Sequence, residues 1–117
     1  MIKDFVKQIT AQLETTGADV YFKDTSKDND YILFNVEIYD KSYARSTGQI
    51  KVDVRYADVM SLLDMQDAVI LALDNWHYAN DTTAAQMDFV ILNDLSSVPN
   101  KQHFSELRFE FILRWEE

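Results

Sequence analysis

The stretch 104–115 constrains this chain more than any other. Leu107, Phe109, Phe111, Leu113 and Trp115 alternate there with Arg108, Glu110, Ile112 and Arg114. A period of two is the period of a β-strand, and a helix would scatter these bulky side chains around its whole circumference. The chain must therefore build a sheet with one strongly apolar face. A strand this apolar belongs in the middle of that sheet or under good cover. The remaining sequence has to provide its neighbours and a lid.

Two segments have the pattern of neighbours. Over 49–56, Ile50, Val52, Val54 and Tyr56 face one way and Gln49, Lys51, Asp53 and Arg55 the other. Over 31–39, Ile32, Phe34, Val36 and Ile38 make one apolar face, and Leu33, Asn35 and Glu37 a mixed one. A short strand is expected at 19–23. Another is expected at 87–92, where the run Phe89-Val90-Ile91-Leu92 suggests burial on both sides. The link 40–48 is too long for a tight two-residue turn and is expected to form an extended hairpin arm or a flexible loop. Residues 78–86 and 93–102 read as connections.

The lid comes from two helices. Ile2, Phe5, Val6, Ile9 and Leu13 fall on one helical face within 2–15, and Gly17 supplies a stop just past it. In 58–75, Val59, Leu62, Leu63, Val69, Ile70, Leu73 and Trp76 make a broad core face. Its opposite face carries Asp64, Asp67 and Asp74, but also Met60 and Leu71, with Tyr78 in line if the helix continues. Large apolar residues outside the core face suggest a subunit contact. The expected architecture is α+β, in the order αβββαββ. It has a mostly antiparallel sheet of four to five strands with both helices packed on one face. With two glycines, one proline and no repeat or linker, residues 1–117 read as a single domain.

Several chemistries are excluded by what is missing. The chain has no cysteine, so disulfides, thiolate metal sites and cysteine nucleophiles are out, and its two histidines leave little for an imidazole site. No serine sits in a nucleophile elbow. His77 is expected near a helix end, where a cation suits the dipole. Gly48 precedes a strand rather than a helix, so 46–49 is no phosphate cradle. The loop 24–30 lacks the central glycine and closing glutamate of a calcium loop. No catalytic residue, metal or cofactor is therefore expected, and the chain is expected not to be an enzyme. The longest apolar run, 68–73, is far short of the ~20 residues of a membrane span. Asp4, Lys7 and Gln8 break up the N-terminal segment, which does not read as a signal peptide, and a cytoplasmic setting is expected.

Charge is unevenly spread. The chain carries a net −9, and residues 57–100 contain seven aspartates and no lysine or arginine. Such a stretch opposes tight binding of nucleic acid, which needs cations against phosphate. It suits a solvated acidic surface, a repulsive field, or a cationic partner.

The arrangement resembles the tail-terminator and minor capsid proteins of the head–tail neck in long-tailed bacteriophages and prophages. Four features carry the resemblance: the amphipathic helix 2–13; the long-looped strand pair ending in Gly48-Gln49-Ile50-Lys51-Val52-Asp53-Val54-Arg55-Tyr56; the helix 58–75 directly after it; and the closing strand His103-Phe104-Ser105-Glu106-Leu107-Arg108-Phe109-Glu110-Phe111. The resemblance implies a structural virion protein, assembled in a bacterial cytoplasm, that caps the tail tube as a six-membered ring. Its implied partners are further copies of itself, tail-tube proteins and head-connector proteins. Met60, Leu71 and Tyr78, with Tyr43 and Arg45 of the arm, are then candidate subunit contacts. Asp64, Asp67 and Asp74 are candidates for an acidic lumen through which DNA passes without sticking. Deleting the arm is expected to abolish assembly and leave the fold. The competing reading is a small acidic inhibitor or immunity-type protein that mimics DNA, its acids forming a continuous outer stripe.

Overall fold

The computed structural model describes residues 2–27, 30–42, 45–79, 83–92, 96–98 and 102–115. In chain order these form α1 (Ile2–Glu14), β1 (Val20–Phe22), β2 (Tyr31–Ser42), β3 (Arg45–Tyr56), α2 (Val59–Leu73), β4 (His77–Ala79), β5 (Thr83–Leu92), β6 (Ser96–Val98) and β7 (Gln102–Trp115). The strands make one seven-stranded sheet in the order β1-β2-β3-β7-β5-β4, with β6 also paired to β7. The alternation of β7 places it in the middle. It pairs antiparallel with β3 through twelve residues, Arg45↔Arg114 to Tyr56↔His103. On its other side it pairs with β5 and then β6, so β6 prolongs the line of β5.

The α+β class, the predominance of antiparallel pairing and the helices on one face agree with the pattern in the sequence. The strand count and order do not. The sheet has seven strands rather than four or five, and it is mixed, because β1 runs parallel to β2. The three extra elements, or parts of elements, lie in stretches read as connections. β4 apart from His77, and the start of β5, fall within 78–86, and β6 lies within 93–102. A three-residue strand pairs without showing a period, so alternation cannot reveal it.

The stretch 40–48 extends the hairpin, as the first of the two expectations has it, and its described residues are strand rather than flexible loop. It is not a free arm. The β2–β3 ladder continues to Ser42↔Arg45, which leaves a two-residue connection. Arg45 to Gly48 are also paired to β7 on their other side, and Ser46 is buried. Removing 40–48 would take out a piece of the central sheet, so the deletion is now expected to unfold the chain rather than leave it folded.

The core lies between the helices and one sheet face. α1 contributes Phe5, Ile9 and Leu13, one side chain per turn. α2 contributes Leu62, Val69 and Leu73. The sheet contributes Ile32, Phe34, Ile50, Val52, Val54 and the four β7 residues Leu107, Phe109, Phe111 and Leu113. Phe5 meets Phe111 edge-on, with ring centroids 4.8 Å apart. Leu63, assigned to the core from its helical position, is 37% exposed. The buried line runs instead through Gln66, whose Oε1 accepts from the fully buried Ser105 Oγ at 2.7 Å. α2 starts at the N-cap Asp58, whose carboxylate accepts from the Ser61 amide at 2.9 Å. The Ser61 hydroxyl, donating to the same carboxylate at 2.8 Å, and then that amide hold the Asp58 carboxyl below its usual range. The helix stops before Asn75, which takes a left-handed φ of 58°. Tyr78 is therefore not in line with α2 but lies on β4, and His77 does not end the helix.

Candidate functional site

The sequence nominates residues for two surfaces, a subunit contact and an acidic lumen. The structure redistributes them. Met60, Asp64, Asp67, Leu71 and Asp74 recur at the spacings 4, 3, 4 and 3. At ~100° per residue they fall within an arc of about 80°. All five are exposed. They form a single ridge along the side of α2 turned away from the sheet, so the candidate contact and the candidate lumen are one surface. Met60 is 62% exposed and Leu71 85%. Leu63 flanks them. An isolated exposed leucine is ordinary. Here three large apolar residues share one helix side with the aspartates. The continuous acidic stripe that a DNA mimic would present is therefore interrupted by apolar side chains.

The other candidates lie elsewhere. Tyr78 is half-buried on β4 and stacks on Trp76 with ring centroids 5.7 Å apart. Its hydroxyl is buried without a hydrogen-bond partner among the described residues, and desolvation raises its pKa. Arg45 is exposed at the end of β3, directly opposite Arg114 of β7. Tyr43 lies outside the described residues. Beside Arg114 the sheet carries a depression of about 220 Å³, lined by Tyr78, Ala84, Gln86, Ile112 and Arg114 among others. Its lining includes Ile112 and Arg114, whose side chains alternate with the buried Phe111 and Leu113 and so face away from the helices. The sequence had Arg114 only as a polar-face residue. Its place beside Arg45 depends on the β3–β7 register, which sequence alternation does not reveal.

The same open face holds a polar network. Gln49 Oε1 accepts from Tyr39 Oη at 2.7 Å and from Arg108 Nη1 at 2.9 Å. Arg108 Nη2 donates to Glu106 Oε1 at 3.0 Å, and Lys51 Nζ lies 3.3 Å from the same oxygen. Tyr39 reaches Gln49 because a bulge between Ile38 and Asp40 gives β2 an extra residue at this point. Nothing in the sequence marks that bulge. A groove of about 360 Å³ opens beside the network between Tyr39, Thr47, Gln86, Asp88, Glu110 and Ile112. Asp88 and Glu110 face each other across it in register.

Asp53 stands opposite Glu106 on this face. Partial burial, with Glu106 adding to it, raises the Asp53 pKa. A carboxyl whose folded pKa is raised opposes folding while ionised. The penalty is full above that raised value and disappears below the ordinary value of 3.8. Asp53→Asn is therefore expected to raise the melting temperature at neutral pH and to change nothing near pH 3. Thermal unfolding at both pH values checks this. A variant less stable than the parent at neutral pH would sink it.

Among the described residues, no group of three His, Asp or Glu side chains is arranged to hold a metal ion. His77 Nδ1 lies 3.4 Å from the Asn75 carbonyl. Among the described residues, no helix is long and apolar enough to cross a membrane.

No family model matches the sequence. No curated protein matches it significantly. Solved structures do. A chain in the virion of a native gene transfer agent particle superposes with a TM-score of 0.71 at 15% identity, covering 91% of this chain and 91% of that one. A second solved structure, which carries only a sequence label, superposes with a TM-score of 0.60 at 14% identity, covering 97% of this chain and 92% of that one. At these identities the likeness establishes a shared fold.

Proposed function

We propose that this chain is a structural component of a phage-like particle, a tail-terminator type of subunit that caps the tail tube as a ring and joins it to the head. The observation that carries the reading is the likeness to a gene transfer agent virion chain over nearly the full length of both chains. The neck position rests on the helix–hairpin–helix–strand pattern in the sequence. The surfaces suit an assembly subunit. They offer an apolar-and-acidic ridge on the outer side of α2 and an arginine pair on the open sheet face. A ridge bearing Leu71 between aspartates suits a contact better than a water-filled lumen, since a lumen leaves that leucine in water. The acids then serve to choose a cationic partner surface rather than to repel DNA.

The test is made on particles from the bacterium that carries the gene. The chain is expected in the purified particle fraction by mass spectrometry. Deleting its gene is expected to leave heads and tails unjoined in electron micrographs. Complete particles that lack the chain would refute the reading.

A further inference from the structure

The two surfaces are complementary to each other. The α2 ridge presents Leu71 with Asp67 one turn before it and Asp64 two turns before it, in a stretch of chain with no lysine or arginine between residues 57 and 100. The open face presents Arg45 and Arg114 side by side, with a depression of about 220 Å³ next to Arg114 that Ala84 and Ile112 help to line. Two like charges placed directly opposite on neighbouring strands destabilise the sheet that holds them. Among the described residues, no carboxylate forms an ion pair with either arginine. The pair therefore has a deficit that an acidic partner would relieve, and Ala84 and Ile112 beside it offer a seat for an aliphatic side chain.

We propose that the Leu71 ridge of one copy docks in the Arg114-rimmed depression of a second copy, with Asp64 and Asp67 against the Arg45–Arg114 pair. The ridge faces outward from the helices and the depression opens on the opposite face of the sheet. Each copy thus carries both halves of the contact on opposite sides, so the contact is head-to-tail and repeats from copy to copy until a ring closes. Burying the leucine supplies affinity. The charges set register and speed encounter, so association weakens as salt is raised. This inference rests on the reading of the chain as an assembly subunit and names the partner of its ridge.

The test uses two full-length variants that break one half each. The ridge variant is Asp67→Asn with Leu71→Lys. The socket variant is Arg45→Ser with Arg114→Ser. All four positions are exposed, so each variant is expected to keep the parent's circular dichroism; the ridge variant is expected to keep its melting temperature, and the socket variant, relieved of the arginine repulsion, to melt no lower. By light scattering and sedimentation, the parent is expected to self-associate, and each variant to associate more weakly by about tenfold or more. Mixed together, the two variants have one intact contact between them. They are expected to form a one-to-one dimer that grows no further. Variants that associate like the parent would overturn the proposal, as would variants that fail to pair on mixing. A parent chain still monomeric at about 1 mM would also overturn it, giving the ridge to a different protein. None of those results would remove the chain from the particle fraction, so the reading as a virion component stands or falls separately.

Discussion

Gly48→Ala is expected to destabilise the fold by about 3 kcal/mol or more, the upper end of what overpacking does. A Cβ built on Gly48 lies 2.0 Å from the Glu37 carbonyl oxygen and 2.9 Å from the Phe111 ring. The ring has some freedom to tilt. The carbonyl has almost none, because it belongs to β2 just before the bulge at Tyr39, and β3 is bonded to β2 on one side and to β7 on the other. Relief would require separating two central strands. Against a total stability of ~5–15 kcal/mol for a domain of this size, that is a large fraction. Denaturant unfolding followed by circular dichroism measures it. An alanine variant within about 1 kcal/mol of the parent would mean that the bulge can slide, and the clash would then be no constraint.

Phe111→Ala is expected to cost ~3–5 kcal/mol, with a fall in melting temperature on the order of 15 °C. The ring is buried at the centre of β7 and meets Phe5 edge-on, so its removal leaves a cavity and breaks an aromatic pair. Phe111→Leu, which fills part of the space, should lose less than half as much. A double-mutant cycle with Phe5→Ala isolates the ring–ring contact and is expected to show coupling. The two predictions also test each other. In a chain carrying both Gly48→Ala and Phe111→Ala, the clash with the ring is gone but the clash with Glu37 remains. Rescue of the glycine variant by the phenylalanine variant would identify the ring, rather than the backbone, as the obstacle.

Legibility in the sequence followed the length over which a periodic pattern could repeat. β7 and β3 alternate over enough residues that their strand character and buried faces were evident, and α1 spans three turns with a clean apolar line. β1, expected as a short strand at 19–23, was legible as an element but not in its parallel pairing, while β4 and β6 are three residues each and pair only because a long neighbour is already present. Leu63 was misplaced because α2 is apolar on most sides, which blurs where its core face ends. Gln66 is half-buried beside the core at a position that hydropathy alone would not grant it, held there by Ser105. Of the candidate site, Met60 and Leu71 were legible as bulky apolar residues among aspartates. The Arg45–Arg114 pair was not, since it arises from a register between strands nearly seventy residues apart, and the Tyr39–Gln49 contact depends on a bulge.

The place of β7 in the chain also bears on how the protein is made. Every strand that pairs with it, β3, β5 and β6, precedes it in sequence. While a ribosome is still extending the chain, the two halves of the sheet exist without the strand that joins them. β3 and β5 then present bare edges, and Ile50, Val52 and Val54 lack the Leu107–Leu113 row beside which they are buried. Until β7 emerges the two halves of the sheet stand unjoined with apolar surface uncovered, and the sheet is completed by one late, long-range pairing.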